Sequence, residues 1–234
     1  MKNALAIPVR INSSRLPNKA LKVIHGKTLI QRVIEQCKKS DLPVYLITDS
    51  EEIVSSIDDD DIVVIFQEKD AESGTERIAN AASIIDADYI INVQGDQPFI
   101  SPEAINEMNS FIINNPTHDI VTPIKIYNEK YSDPSKCKVV VDINGRAIYF
   151  SRSPIPYNAD YSYGHLGMYG YKKDVLLNFH KLKTSPLEKM EKLEQLKFID
   201  NGIPIQTYET SHSIFSIDTQ SDLVYAIEHF SEFV

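Results

Sequence analysis

Two cysteines in 234 residues, Cys37 and Cys137, are too few and too far apart for a disulfide framework, and neither stands in a CxxC pair. Reduced thiols and a cytoplasmic location are the expectation. The apolar stretch 4–9 is too short to cross a bilayer or to serve as the core of a secretory leader, so neither export nor a membrane partner is expected. The sequon Asn12-Ser13-Ser14 therefore carries no glycosylation meaning. Neither a Walker loop nor a GxGxxG turn is present. Internal repeats and low-complexity linkers are missing as well. The first 27 residues contain no Asp or Glu, yet hold Lys2, Arg10, Arg15, Lys19, Lys22 and Lys27. The whole chain has 24 basic and 33 acidic side chains, a net charge of −9, which excludes a nucleic-acid coat. Removing the first segment leaves 18 basic against 33 acidic residues, or −15, so a basic leading segment sits on an acidic body. That asymmetry asks for an anionic ligand.

With 42% hydrophobic residues the chain has enough apolar material for a sizeable core. Val- and Ile-rich runs at 4–9, 43–48, 61–67, 89–93 and 120–126 alternate with amphipathic stretches, the pattern of βα units around a mostly parallel sheet. Leu29, Val33 and Ile34 share one helical face, as do Ile78, Ala81, Ala82 and Ile85, and then Ile105, Met108 and Ile112. Ser101-Pro102-Glu103 is a helix start. Beyond about residue 135 the pattern changes. Apolar runs at 137–141 and 146–151 flank Asp142-Ile143-Asn144-Gly145, a hairpin signal. A charged helix is expected over 187–201, stopped at Gly202. Strands are expected at 203–209 and 213–217, and a closing helix at 221–233. The acidic run 58–61 is most simply a solvated turn.

In an open parallel sheet, ligands bind at the carboxyl ends of the strands, and four features fall there. Residues 10–19, with Arg10, Ser13, Arg15 and Lys19, can wrap a triphosphate, or can be a plain basic loop. Ser73 and Gly74 open a helix whose free amides suit a base, ribose or phosphate, although locally a capping box from Ser73 to Glu76 is the simpler reading. Asp96 follows a buried strand beside Gly95 and can hold a hard cation or merely form a turn. Asp218 is an isolated acid before the last helix, where an N-cap is the simpler role. Nothing local pairs Asp96 with Asp218.

The ordered series IPVRINSSRLPNKAL, LITDSEE, ESGTERIA, NVQGDQP, CKVVVDINGRAIYFSRSPIP, HLGMYGY, SPLEKMEKLEQLK and SIDTQSDL resembles the 3-deoxy-manno-octulosonate (Kdo) cytidylyltransferase family from residue 4 to about 227. The resemblance implies one Rossmann-like, GT-A-like nucleotidyltransferase domain: a mixed, mostly parallel sheet flanked by helices, with a small hairpin-containing dimerisation subregion. Residues 1–126 would mainly bind nucleotide, 127–217 would mainly bind sugar and a second subunit, and 218–234 would close the site. It implies attack of an anomeric C2 hydroxyl on the α-phosphate of CTP, releasing pyrophosphate, with Mg²⁺ as cofactor. The CMP-sugar would supply lipopolysaccharide or another surface polysaccharide. By the same resemblance Arg10, Lys19 and Asp96 are the catalytic residues. Arg10, Ser13, Arg15, Lys19, Ser73, Gly74 and Arg77 hold the nucleotide, and Asp96 and Asp218 hold the metal. Gln94, Arg152, His165, Tyr169, Glu194 and Gln195 form the sugar pocket, with Glu194 and Gln195 as neighbours on one helix and Arg152 facing a carboxylate. On residues alone, a structural histidine is the simpler reading of His165, and Tyr169 also fits a half-buried strand.

Three departures from that family stand out. Asn18 replaces a common Gly, Ala20 replaces a common Pro, and the segment 157–164 is short and has no basic residue before His165. The acidic sugar is therefore left open among Kdo, its 8-amino variant and a nonulosonic acid.

Overall fold

The computed structural model describes residues 1–13, 15–68, 71–127 and 133–233, so Ser14 of the sequon lies outside the described residues. The elements run β1 (Asn3–Val9), β2 (Val23–Ile24), β3 (Lys27–Thr28), α1 (Leu29–Lys38), β4 (Val44–Thr48), α2 (Glu51–Ser55), β5 (Val63–Phe66), α3 (Gly74–Ala81), β6 (Tyr89–Asn92), α4 (Pro102–Asn114) and β7 (Ile120–Tyr127). They continue with β8 (Lys138–Val141), β9 (Ala147–Ser151), β10 (Ser162–His165), β11 (Tyr169–Lys172), α5 (Lys173–Leu177), α6 (Pro186–Glu191), α7 (Leu196–Asp200), β12 (Ile205–Glu209) and α8 (Gln220–Glu228). Ten strands form one sheet in the order β5-β4-β1-β6-β11-β7-β10-β8-β9, with β12 on the other edge of β7. Strands β1, β4, β5, β6, β7, β8 and β12 run one way, and β9, β10 and β11 the other, which is the expected mixed, mostly parallel sheet.

Strand β1 is buried throughout, so it is apolar on both faces. Leu5, Ile7 and Val9 join the core under α1, α4 and α8, while Ala4 and Ala6 join the opposite core with Ile78, Ala81, Ala82 and Ile85. The three expected helical stripes are all buried against the sheet. Ser101 caps α4, accepting from the Ala104 amide at 3.0 Å. In the acidic run, Asp59 and Asp61 both receive the Lys38 ammonium.

Two features of β10 and β11 place the site. Both strands lie antiparallel on the same edge of β7, with His165 opposite Ile124 and Gly170 opposite Val121. Their outer edges part, because β10 takes β8 and β11 takes β6. The sheet forks at residues 166–168, where Gly167 has φ 75°. Beyond the fork the β8–β9 hairpin forms around Gly145 (φ 74°) as expected, and Thr207 of β12 donates from its amide to the Gly145 carbonyl at 2.8 Å.

The structure corrects two expected elements. The helix over 187–201 is broken into α6 and α7, because Lys192 adopts φ 55° and ends the first helix with its amide on the Glu188 carbonyl. Glu194 and Gln195 consequently sit in a turn, not on one helix. Residues 213–217 form no strand; the segment docks through the Ile217 amide onto the Asp96 carbonyl at 2.9 Å. The closing helix is α8, one residue earlier at its start and followed by a short 3-10 turn at Phe230–Glu232.

Leu5→Ala removes a fully buried side chain from the central strand. The expected loss is about 2–5 kcal/mol, read as a lower urea midpoint at unchanged m.

Candidate active site

The carboxyl ends of β1 and β6 and the first turn of α3 meet at two glycines. A Cβ on Gly95 would come within 3.1 Å of the Pro8 carbonyl oxygen and of Val9 Cβ, and one on Gly74 within 3.1 Å of Gln94 Oε1. Side chains at either position would push apart the segments that line a cleft of about 250 Å³. Arg10, Ser13, Arg15, Lys19, Ser73, Gly74, Arg77, Gln94, Asp96 and Asp218 all line it. The basic loop leaving β1 is pinned by buried Leu16 and Ala20, which leaves Arg10 and Arg15 exposed. Asn18 has φ 53°, a left-handed conformation that Asn tolerates better than most residues, so it can take the place of glycine there.

Lys19 is the centre of this cleft. Its ammonium donates to Asp96 Oδ2 at 2.8 Å and Asp218 Oδ1 at 3.0 Å, and Arg15 Nη2 also reaches Asp218 Oδ1 at 3.0 Å. Burial by itself lowers the Lys19 pKa, but the two carboxylates outweigh it and hold the group above its ordinary value. Asp222 steadies the second acid: its Oδ2 accepts from the Asp218 amide at 3.0 Å and the Thr219 amide at 2.8 Å, in a capping box with Thr219. Among the described residues no three His, Cys, Asp or Glu side chains cluster as a metal site. The two carboxylates converging on one cation are nonetheless a hard-oxygen donor pair facing open space. That fits a divalent cation which completes its shell with substrate oxygens and water.

Ser73 caps α3, accepting from the Glu76 amide at 3.1 Å, while the Glu76 carboxylate accepts from Glu72, so only half of a capping box forms. Arg77 is 2% exposed and pairs with Asp49 Oδ2 at 2.5 Å, which ties α3 to the end of β4.

A second cleft of about 710 Å³ opens at the fork of the sheet. It shares Arg15, Ser73, Gly74, Gln94, Asp96 and Asp218 with the first and adds Arg152, His165, Tyr169, Glu194 and Gln195. Every side chain expected in a sugar pocket therefore lines it. Thr122 of β7 gives its single hydroxyl proton to the Met168 carbonyl at 2.7 Å, so it must accept from His165 Nε2–H at 2.9 Å. This leaves His165 Nδ1 as the acceptor. Burial pushes the His165 pKa down to about 3, so the ring is neutral. Burial also raises the Glu194 carboxyl above its ordinary range, against the opposing hydrogen bonds of Thr75 and Ser73. Gln195 is 3% exposed and donates to Cys137 Sγ at 3.4 Å.

Arg152 is fixed at nearly every polar group. Its amide donates to Glu191 Oε2 at 3.0 Å and Nε to the Glu191 carbonyl at 3.3 Å, while Nη1 reaches the Pro134 and Ser135 carbonyls at 3.4 and 3.2 Å. The carbonyl of Arg152 accepts from Lys138, an ammonium buried among the Asp133, Lys136 and Arg152 carbonyls. The sequence reasoning passed over Glu191, Lys138, Asp222 and Thr122, and also Lys136 and Lys192 in the cleft wall. Of these only Asp222 had a local signal, the Thr-x-x-Asp spacing of a capping box.

A cation-rich loop and an acid pair at the carboxyl ends of parallel strands, open to a second polar cleft, define a nucleotidyltransferase. The chain belongs to the cytidylyltransferase family, whose model matches residues 4–210. It is 43% identical over 237 residues to the 3-deoxy-manno-octulosonate cytidylyltransferase of Rickettsia prowazekii, covering 97% of this chain and 96% of that one. It is 40% identical to the protein of the same name from Fusobacterium nucleatum, covering 97% and 96%. A solved structure of CMP:2-keto-3-deoxy-manno-octonic acid synthetase complexed with CTP superposes with a TM-score of 0.91 at 33% identity over 100% of both chains. No helix among the described residues is long and apolar enough to cross a membrane.

The neutral imidazole yields a prediction. With the folded pKa of His165 below the ordinary 6.5, the unfolded chain takes up a proton first as pH falls, so stability is lost from about pH 6.5 towards about pH 3. The loss is at most about 1.4 kcal/mol per pH unit, and His165→Gln removes that contribution. Urea melts of both proteins at pH 7 and pH 5 measure it; a stability difference that does not change with pH refutes it.

Proposed function

We propose that the protein transfers the cytidylyl group of CTP to the anomeric C2 hydroxyl of Kdo, giving CMP-Kdo and pyrophosphate. The observation that carries this reading is the acid pair Asp96 and Asp218 on the wall common to both clefts, where a nucleotide in one meets a sugar in the other. Such a transfer needs charge stabilisation and alignment more than covalent help. Arg10, Ser13, Arg15 and Lys19 hold the phosphates, with Arg10 and Lys19 offsetting the charge that grows on the departing pyrophosphate. Ser73 and Gly74 present the amides of the first turn of α3 to the cytidine, and Arg77 keeps that turn in place through Asp49. Asp96 and Asp218 would hold Mg²⁺, which supplies neutralisation of the triphosphate when bound. Lys19, whose ammonium lies between these two carboxylates, would serve the phosphates from the same wall of the cleft.

On the sugar side, Arg152 faces the carboxylate, and His165 Nδ1 accepts from a sugar hydroxyl. Gln94, Tyr169, Glu194 and Gln195 fix the remaining hydroxyls. The C2 oxygen forms its bond to the α-phosphorus as the bond to the β-phosphate bridge breaks, and the hydroxyl proton leaves to solvent. Residues 1–126 carry the nucleotide side, 127–217 the sugar side, and 218–234 close the site. The protein works in the cytoplasm as a homodimer in lipopolysaccharide or surface-polysaccharide synthesis. Support for pairing through the β8–β9 hairpin comes from exposed Ile143 and Ile148.

Purified protein with CTP, Mg²⁺ and a panel of Kdo, 8-amino-Kdo and nonulosonic acids should release pyrophosphate, fastest with Kdo. Silence across the panel sinks the reading. Asp96→Asn should cost at least about 100-fold in turnover with an unchanged far-ultraviolet dichroism spectrum. Chelation by EDTA should stop the wild type and excess Mg²⁺ should restore it.

A further inference from the structure

The second cleft holds more positive charge than Arg152 alone supplies. Its lining includes Lys136 and Lys192, both exposed. Arg152 locates them, because its guanidinium donates to the Pro134 and Ser135 carbonyls and to the Glu191 carbonyl. Lys136 directly follows the first anchor and Lys192 the second. Both lysines therefore adjoin residues that anchor Arg152, in the lining of one cleft.

Neither lysine makes an ion pair among the described residues. Arg152 has the Glu191 carboxylate beside it, and Lys136 lies within electrostatic reach of Asp133 and Asp222, whereas Lys192 has no such partner among the described residues. Glu72, Asp96, Glu188, Glu194, Asp218 and Asp222 line the same cleft, but Glu194 faces the first turn of α3, with its Oε2 3.5 Å from the Thr75 amide, and Asp222 is taken up by the Asp218 and Thr219 amides. Lys192 also occupies a left-handed helix end (φ 55°), where Gly or Asn is the cheaper residue. Meanwhile 157–164, the segment leading to His165, contains no Lys or Arg.

We propose that Lys136 and Lys192 are specificity-determining residues that, with Arg152, select an acidic sugar by its carboxylate. The assignment rests on the sugar-side reading of this cleft. It makes discrimination between the acid and a neutral isostere a property of two solvent-facing side chains, while Arg152 sets the direction of approach. Charge at such a rim acts over several ångströms and is weakened by salt.

The test compares wild type with Lys136→Gln/Lys192→Gln, which keeps most of both side-chain stems. Binding of Kdo and of its C1 carboxamide is measured by calorimetry with CTP and Ca²⁺, and KM for Kdo and for CTP by pyrophosphate release with Mg²⁺. The double variant should bind Kdo about tenfold or more weakly, as two rim ion pairs acting together would, and should lose most of the preference for acid over amide. Its KM for Kdo should rise while KM for CTP stays within about twofold. A double variant that keeps the wild-type preference for the acid overturns the inference. A wild type that binds the acid with a lysine-dependent preference yet releases no pyrophosphate upholds the inference and overturns the reaction. A wild type that binds neither acid nor amide overturns both.

Discussion

The Lys19 ammonium between Asp96 and Asp218 holds the site together. Two carboxylates brought this near to one another repel, and the repulsion is felt more strongly in a half-buried cleft than in water. A cation between them turns that cost into cohesion. The three residues are 77 and 199 positions apart in pairs, so the bridge closes the ends of β1 and β6 and the start of α8 on one point. The same geometry makes the bridge replaceable. Any harder, more highly charged cation that reaches the two acids competes with the ammonium for the same oxygens. Lys19, once displaced, stands on the floor of a cleft lined by Arg10 and Arg15.

Around that point the chain holds its functional groups with main-chain atoms or with side chains that are themselves tied to the main chain. Arg152 is fixed by carbonyls and by Glu191, Asp218 by the capping carboxylate of Asp222, and His165 by a hydroxyl already committed to the Met168 carbonyl. Main-chain partners do not titrate. Their positions follow from the fork in the sheet and from the ends of short helices. A guanidinium so held has few rotamers left to lose when it meets a ligand, which lowers the entropy cost of binding.

Much of the frame was legible from residue order, and the reason is local. β1 announced itself as an apolar run buried on both faces, and the stripes of α1, α3 and α4 follow the helical period directly. The Asn-Gly hairpin was equally plain, since Gly145 takes the positive φ that the turn demands. The break at Lys192 was not, because lysine carries no signal for a left-handed helix end. The segment 213–217 has the β-branched composition of a strand but finds only the Asp96 carbonyl to pair with, and composition does not reveal an absent partner. Within the site, the basic loop and the two acids were visible one by one, but nothing local joined residue 96 to residue 218. That junction and the sugar-side residues came from resemblance to a family. Glu191 and Lys138 were hidden because a charge that serves backbone atoms looks, in sequence, like any solvated charge.

The fork at residues 166–168 explains why two clefts exist and why they meet at the acid pair. A continuous strand over 162–172 would hold β6 and β8 on one flat edge and leave no opening between them. The turn at Gly167 lets β10 follow β8 while β11 inserts beside β6, so the antiparallel insertion brings Tyr169 to pair with Asn92, at the very end of β6. Two residues further on, Gln94 already lines both clefts, and Asp96 follows on the same loop. One left-handed glycine therefore stands at the turn that parts the two strands, on the wall of the second cleft.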